Sequence, residues 1–145
     1  MMRNYIVHLV VFFFLLPFNN YCQNSTGFDV STAVYNQSYY VRSSANGYVL
    51  TPNSIKFNND GSKMFILDAF GNNTGKVKEY HLSTAFDISS SNYITDFDVS
   101  NQDNNPTSFA FNSDGSKMFM TGRGQSYVNE YFLSTTFDIS TASYS

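Results

Sequence analysis

The chain contains its own near-copy, and that repetition limits what it can fold into more than any other feature. Asp60-Gly61-Ser62-Lys63-Met64-Phe65 returns 54 residues on (115 against 61) as Asp114-Gly115-Ser116-Lys117-Met118-Phe119. Glu79-Tyr80-His81-Leu82-Ser83-Thr84 returns 51 residues on (130 against 79) as Glu130-Tyr131-Phe132-Leu133-Ser134-Thr135. Phe86-Asp87-Ile88-Ser89 takes the same step to Phe137-Asp138-Ile139-Ser140, and Phe28-Asp29-Val30-Ser31 opens a third, partial copy. The difference between the two steps falls between Phe65 and Tyr80, where Ala69 to Lys76 form a longer loop than Thr121 to Gln125. A fixed step of about 50 residues marks units that bury their apolar faces by stacking on one another.

Each repeat reads as four strands. Ser54 to Phe57 is the first, and Asn59-Asp60-Gly61 is a hairpin signal, because Gly accepts positive φ without steric cost. The second, Lys63 to Asp68, carries Met64, Phe65, Ile66 and Leu67 in a row, so both of its faces must be covered. The third is Val77 to Leu82. The fourth runs from about Tyr93 to Val99, with Tyr93, Thr95, Phe97 and Val99 on one face and Asp96 and Asp98 on the other. Tyr35, Gln37, Tyr39 and Val41 alternate in the same way, which predicts an outer strand over about 33–41. The repeat units then span about 51–99 and about 106–145, the second incomplete. No window keeps a 3.6-residue period, so helix is nearly absent. The expected fold is all-β: antiparallel four-stranded blades of a β-propeller, which stack radially and cover both faces of each sheet.

Phe57-Asn58-Asn59-Asp60-Gly61-Ser62-Lys63-Met64-Phe65 and Val77-Lys78-Glu79-Tyr80-His81-Leu82-Ser83-Thr84 resemble the repeats of bacterial secreted β-propellers of the YVTN and lactonase-like group. The resemblance covers the chain from about Phe28 onward. Its motifs are turn and core residues, so they speak to fold more than to function. The strands counted here amount to about two blades, whereas closed propellers hold about 4 to 8. The expectation is therefore a fragment of a longer protein, or several copies assembling into one ring. Two functions are in view: a non-catalytic binding scaffold, or part of a lactonase-like or quinoprotein-like enzyme whose active-site residues lie in blades absent here.

The N-terminus gives an address. Arg3 precedes an apolar run from Tyr5 to Leu16, and Pro17 interrupts it before a polar stretch. That order is the order of a secretory signal peptide over residues 1–22. The run is shorter than the roughly 20 residues a membrane-spanning helix needs. Cleavage after Cys22 leaves residues 23–145, without cysteine; lipidation at Cys22 is the alternative, although Asn19-Asn20-Tyr21 is unlike a lipobox. The protein is expected to be exported, to the periplasm, the cell surface or beyond it. One cysteine in the chain rules out a disulfide framework. A net charge of −3, with charged residues at only 13%, offers nothing to hold a phosphate backbone, so a nucleic-acid partner is not expected.

Chemistry-bearing residues are few. His81 stands where the other repeat has Phe132, which makes it a strand position rather than a base or ligand. Glu79 and Glu130 recur at one place in the repeat and read as structural, accepting backbone hydrogen bonds between units. Asp60, Gly61, Asp114 and Gly115 read as hairpin turns, since Lys56 and Phe57 stand where an EF-hand loop needs oxygen ligands. Asn24, Asn36 and Asn72 begin glycosylation sequons, which an Asn/Ser/Thr-rich chain produces by composition. No nucleophile elbow and no phosphate-binding Gly loop are present, and no catalytic residue, metal or cofactor is expected. What differs between repeats is more informative. Phe70 to Gly75 corresponds to Gly122 to Gln125, and Ser43 to Pro52 corresponds to the shorter Asn101 to Pro106. In propellers these connections share one face, and function sits on such loops. Tyr48, Asp68 and Arg123 are the candidate contacts there for an unidentified protein or glycan.

The N-terminal pattern predicts that the exported protein begins at Gln23 and carries no free thiol. Intact-mass analysis tests this; a mass that includes Met1, or a diacylated Cys22, contradicts it.

Overall fold

The computed structural model describes residues 31, 33–41, 49–69 and 74–144. The expected signal segment, Phe28 to Val30 and Tyr48 lie outside the described residues. Asn36–Ser145 is one compact unit; of the preceding unit, Met1–Tyr35, Ser31 and residues 33–35 are described, and they are exposed.

The turn residues set the frame. In the first copy, β1 (Pro52–Phe57) and β2 (Lys63–Asp68) are joined by a tight turn in which Gly61 N–H donates to Asn58 O at 3.2 Å and Asn58 N–H to Lys63 O at 3.2 Å. Asn58 Oδ1 accepts from Lys63 N–H at 2.9 Å and Asp60 Oδ1 from Ser62 N–H at 2.9 Å. Gly61 and Gly115 both adopt positive φ, 74° and 73°. β3 (Lys76–Leu82) and β4 (Ser91–Asp98) complete an antiparallel sheet in the order β1-β2-β3-β4. The second copy repeats it as β5 (Pro106–Phe111), β6 (Lys117–Gly122), β7 (Val128–Leu133) and β8 (Ala142–Tyr144). Helix is confined, among the described residues, to a few 3₁₀ residues, chiefly Ile88–Ser90 and Ile139–Thr141.

Those 3₁₀ turns close a second motif onto the hairpin. Phe86 and Phe137 are held at φ 59° and 53°, a region that costs a bulky L-residue about 1–2 kcal/mol. The Phe86 N–H donates to Gly61 O at 3.0 Å, and the Phe137 N–H to Gly115 O at 2.9 Å. Each ring lies over its glycine, where a Cβ would overlap it. Asp87 and Asp138 then cap the turns, each accepting from the N–H two residues on at 3.0 Å. Glycine is therefore required twice at each site, for its φ and for the space the ring takes.

Core burial follows the repeat. Strand β2 is buried on both faces. Met64 and Ile66 join Val49, Tyr80 and Leu82 on one side; Phe65 and Leu67 join Val77, Val99, Phe109, Met118, Met120, Tyr131, Leu133 and Ile139 on the other. The repeat counterparts of Met64, Ile66, Tyr80 and Leu82 are Met118, Met120, Tyr131 and Leu133. The face that the first sheet turns away from its neighbour is thus the face that the second sheet turns toward it. Unlike faces meet, so the stacking runs head to tail. Each large apolar side chain buried there contributes about 1.5–3 kcal/mol.

Residues 33–41 carry no strand ladder, despite their alternation. Gln37 to Val41 lie on the first sheet instead: Gln37 Nε2 donates to Asp87 Oδ1 at 2.9 Å, Tyr39 Oη to Ser91 O at 3.4 Å, and Val49 N–H to Val41 O at 3.1 Å.

The Phe–Gly contact predicts a coupled pair. Gly61→Ala should cost about 2–4 kcal/mol, combining left-handed strain with overpacking against the Phe86 ring. In a Phe86→Gly background the same substitution should cost only about 1–2 kcal/mol, the strain alone. Denaturant midpoints of the four chains measure the coupling; equal costs in both backgrounds would show that the ring and the glycine act independently.

Candidate functional site

The two ends of the sheets are built differently. At one end lie the Asp-Gly turns and the Phe-Asp-Ile-Ser turns, the same in both copies. Asp60 and Asp114 are held below the ordinary carboxylate range there by the Ser62 and Ser116 side chains and N–H groups. Between the sheets runs a cleft of about 480 Å³ lined by Lys63, Glu79, His81, Ile94, Thr95, Asp138 and Ser140. Its charged groups are engaged. Lys63 Nζ contacts Glu79 Oε1 at 2.6 Å and donates to Phe137 O at 2.7 Å. Glu79 Oε2 accepts from Ile139 N–H at 3.1 Å, the backbone bond between units that its recurrence suggested. Asp138 caps Ser140. His81 is exposed, in register with Lys63 and Asn92.

At the other end lie the connections β2–β3, β4–β5 and β6–β7, and here the copies diverge. Its centre is Asp103, which is buried. Asp103 Oδ1 accepts from Asn105 N–H at 2.8 Å and Gly124 N–H at 3.0 Å, and Oδ2 accepts from Gln125 N–H at 3.0 Å. Arg123 N–H donates to Asn105 O at 2.8 Å. A Cβ at Gly122 or Gly124 would run into Asp103 or Asn104, so the loop needs glycine on both sides of Arg123 to close around the carboxylate. The result is a fixed loop with the Arg123 side chain turned out to solvent. Tyr127, 68% exposed, follows immediately before β7.

Asp68 does the corresponding work in the first sheet. Its Oδ1 accepts from Leu50 N–H at 3.0 Å and Thr51 N–H at 2.9 Å, fixing the entry to β1. The repeat counterpart of Asp68 is Gly122, so in the second sheet the carboxylate comes from the opposite connection. Asp68 and Arg123 thus lie at the same end of their respective sheets, Asp68 tied to backbone and Arg123 exposed; Tyr48 lies outside the described residues. Asp103 and Tyr127 were missed in the sequence. The signal available was the pair of glycines around Arg123, which marks a loop wrapped closely on something.

Compared with protein families, curated proteins and solved structures, the chain matches none. Among the described residues no group of three or more His, Cys, Asp or Glu side chains is placed to hold a metal ion. No helix among them is long and apolar enough to cross a membrane.

Asp103→Ala leaves three backbone N–H groups without their acceptor. We expect a loss of about 2–4 kcal/mol, in line with unpaired buried donors, together with faster amide exchange at Gly124 and Gln125. Unchanged stability and exchange would show that the loop stands without the carboxylate.

Proposed function

We propose that this chain is an exported repeat scaffold, its two sheets blades of a β-propeller, that binds a protein or glycan through the loop end around Arg123 and Tyr127. The blade reading is supported by the head-to-tail stacking of two antiparallel four-stranded sheets, each presenting a different face to the seam. Export is supported by the order of Arg3, the apolar run and Pro17 in the sequence.

The observation that carries the binding reading is the Asp103-centred loop. Recognition favours side chains already held in place by a rigid support, because less ordering entropy opposes binding. Arg and Tyr are among the residue types that dominate binding energy at interfaces. The guanidinium suits a carboxylate or amide oxygen, and the Tyr ring supplies a flat apolar surface with a polar tip. At the opposite end the charged residues that recur in the repeat are spent on internal bonds.

A panel of polysaccharides and extracellular proteins, immobilised and probed with the purified chain, tests this reading. Arg123→Ala and Tyr127→Ala should each weaken the selected interaction by about 10-fold or more, as hot-spot truncations do. Asp60→Ala, at the far end, should leave it unchanged. Binding that survives both loop substitutions, or its absence across the panel, overturns the proposal.

A further inference from the structure

Two seams of the chain are built on one plan, and they differ at one place. A step of 58 residues carries Phe28-Asp29-Val30-Ser31 to Phe86-Asp87-Ile88-Ser89 (86 against 28), and the same step carries Gln37 to Thr95 and Val41 to Val99. Val41 packs on the cluster that holds Met64, and Val99 lies in the cluster that holds its counterpart, Met118. In the first seam Gln37 reaches the turn of the sheet it lies on, Nε2 donating to Asp87 Oδ1 at 2.9 Å. In the second seam the turn residue is Asp138, 51 residues on (138 against 87). Its Oδ1 accepts from the Ser140 N–H at 3.0 Å and from the Ser140 hydroxyl, as Asp87 accepts from Ser89. Thr95, however, is too short to do what Gln37 does. Among the described residues neither the Thr95 hydroxyl nor Asp138 Oδ2 has a hydrogen-bond partner. Where the first seam has the Gln37 amide, the second has the cleft of about 480 Å³, a volume within the roughly 300–1,000 Å³ of ligand sites.

The groups around the cleft decide what fits it. Asp138 Oδ2 calls for a donor, and the Gln37–Asp87 bond shows an amide N–H meeting that demand at the matching position. The Lys63 ammonium gives one N–H to Glu79 and one to the Phe137 carbonyl, which leaves it a third. His81, where the other copy has Phe132, is exposed, and its ring nitrogens have no partner among the described residues. The apolar wall is Ile94. Thr95 pairs with Glu79 and Tyr93 with Tyr80, so Ile94 is the extra residue of a bulge that re-aims its side chain to the rim, 51% exposed. A cationic ligand would meet the Lys63 ammonium, and an anionic one Glu79 and Asp138. An uncharged ligand with an amide N–H, hydroxyls that both donate and accept, and a methyl group for Ile94 meets none of these objections. Those are the features of an acetamido sugar.

We propose that the cleft between the sheets binds a 2-acetamido sugar, whose amide N–H takes at Asp138 the place that Gln37 takes at Asp87. The acetyl methyl lies against Ile94, and the ring hydroxyls meet Lys63, His81 and Thr95. The whole lining comes from β2, β3, β4 and the Asp138 to Ser140 turn, all of them described. The site is separate from the loop end and independent of what Arg123 and Tyr127 bind.

Amide NMR spectra of the purified chain, titrated with N-acetylglucosamine, are the test. Saturable shifts should centre on His81, Thr95 and Ser140. Glucose, which lacks the amide, and glucosamine, which carries an ammonium in its place, should bind about 10-fold or more weakly, the loss of one hydrogen bond to a charged group. Thr95→Gln supplies the amide from within, as the first seam does, and should cut binding about 10-fold or more with an unchanged far-UV spectrum. Arg123→Ala should leave the titration as it is, which keeps failure of this site distinct from failure of the loop-end reading. Absence of a saturable shift, shifts confined to other residues, glucose or glucosamine binding as well as the acetamido sugar, or undiminished binding to folded Thr95→Gln each overturns the proposal. Should Thr95→Gln unfold, Ile94→Ala, at an exposed position, decides in its place: binding must fall about 3-fold or more with the lost apolar contact, and unchanged binding overturns the proposal.

Discussion

One carboxylate ties the architecture together. Glu79 divides its two oxygens between Lys63 of its own sheet and the Ile139 N–H of the next. A charge so deeply buried would be costly if either partner were missing, so the seam is intolerant of a slipped register. The demand propagates backward along the chain. To offer a carbonyl and an N–H side by side, the turn must leave Phe137 left-handed and Asp138 extended. A left-handed Phe throws its ring over the hairpin, and only glycine at 115 leaves room. Glu, Phe, Asp and Gly are therefore one device, and this is why those letters return in both copies.

The sequence carried the repeating part of this and little of the rest, for physical reasons. Four successive apolar residues from Met64 to Leu67 announce a strand covered on both faces, and burial agrees. The recurrence of Glu79 as Glu130 pointed to a structural bond between units, and the first of them makes it. The left-handed Phe was not legible, since no propensity favours a bulky residue at positive φ. It follows from a glycine 25 positions earlier (61 against 86), through a contact visible only in three dimensions. Residues 33–41 show what alternation reports. Tyr39 and Val41 are half-buried while Ser38 and Tyr40 between and beside them are exposed, and Tyr35 and Gln37, in phase with the first pair, are exposed too, so a period of two reports neither a ladder nor a fully buried face. Asp103 was illegible because two of its three donors come from a loop 21 and 22 residues away.

The two ends of the sheets divide the work. The turn end is constrained by the seam, where Asn59 Nδ2 also reaches Ser113 O at 2.7 Å, one hairpin to the next. The loop end faces a looser requirement, that some carboxylate fix the backbone. Asp68 meets it from the end of β2 and Asp103 from the β4–β5 connection. When the carboxylate changes sides, the vacated position becomes Gly122, and the loop beyond it shortens and turns Arg123 outward. Loop chemistry can thus change from one unit to the next without disturbing the seam.

That separation bears on what an assembly of such units would do. Head-to-tail stacking keeps successive sheets pointing the same way, so loop ends accumulate on one side. In such a stack every loop end falls on that common side, at a spacing set by the seam and not by a flexible linker. A weak contact at one loop end then becomes one of several engaged together, and avidity exceeds single-site affinity by about 10²–10⁴ when the geometry permits. A small exposed recognition surface, of the size that Arg123 and Tyr127 offer, is the case in which such multiplication matters most.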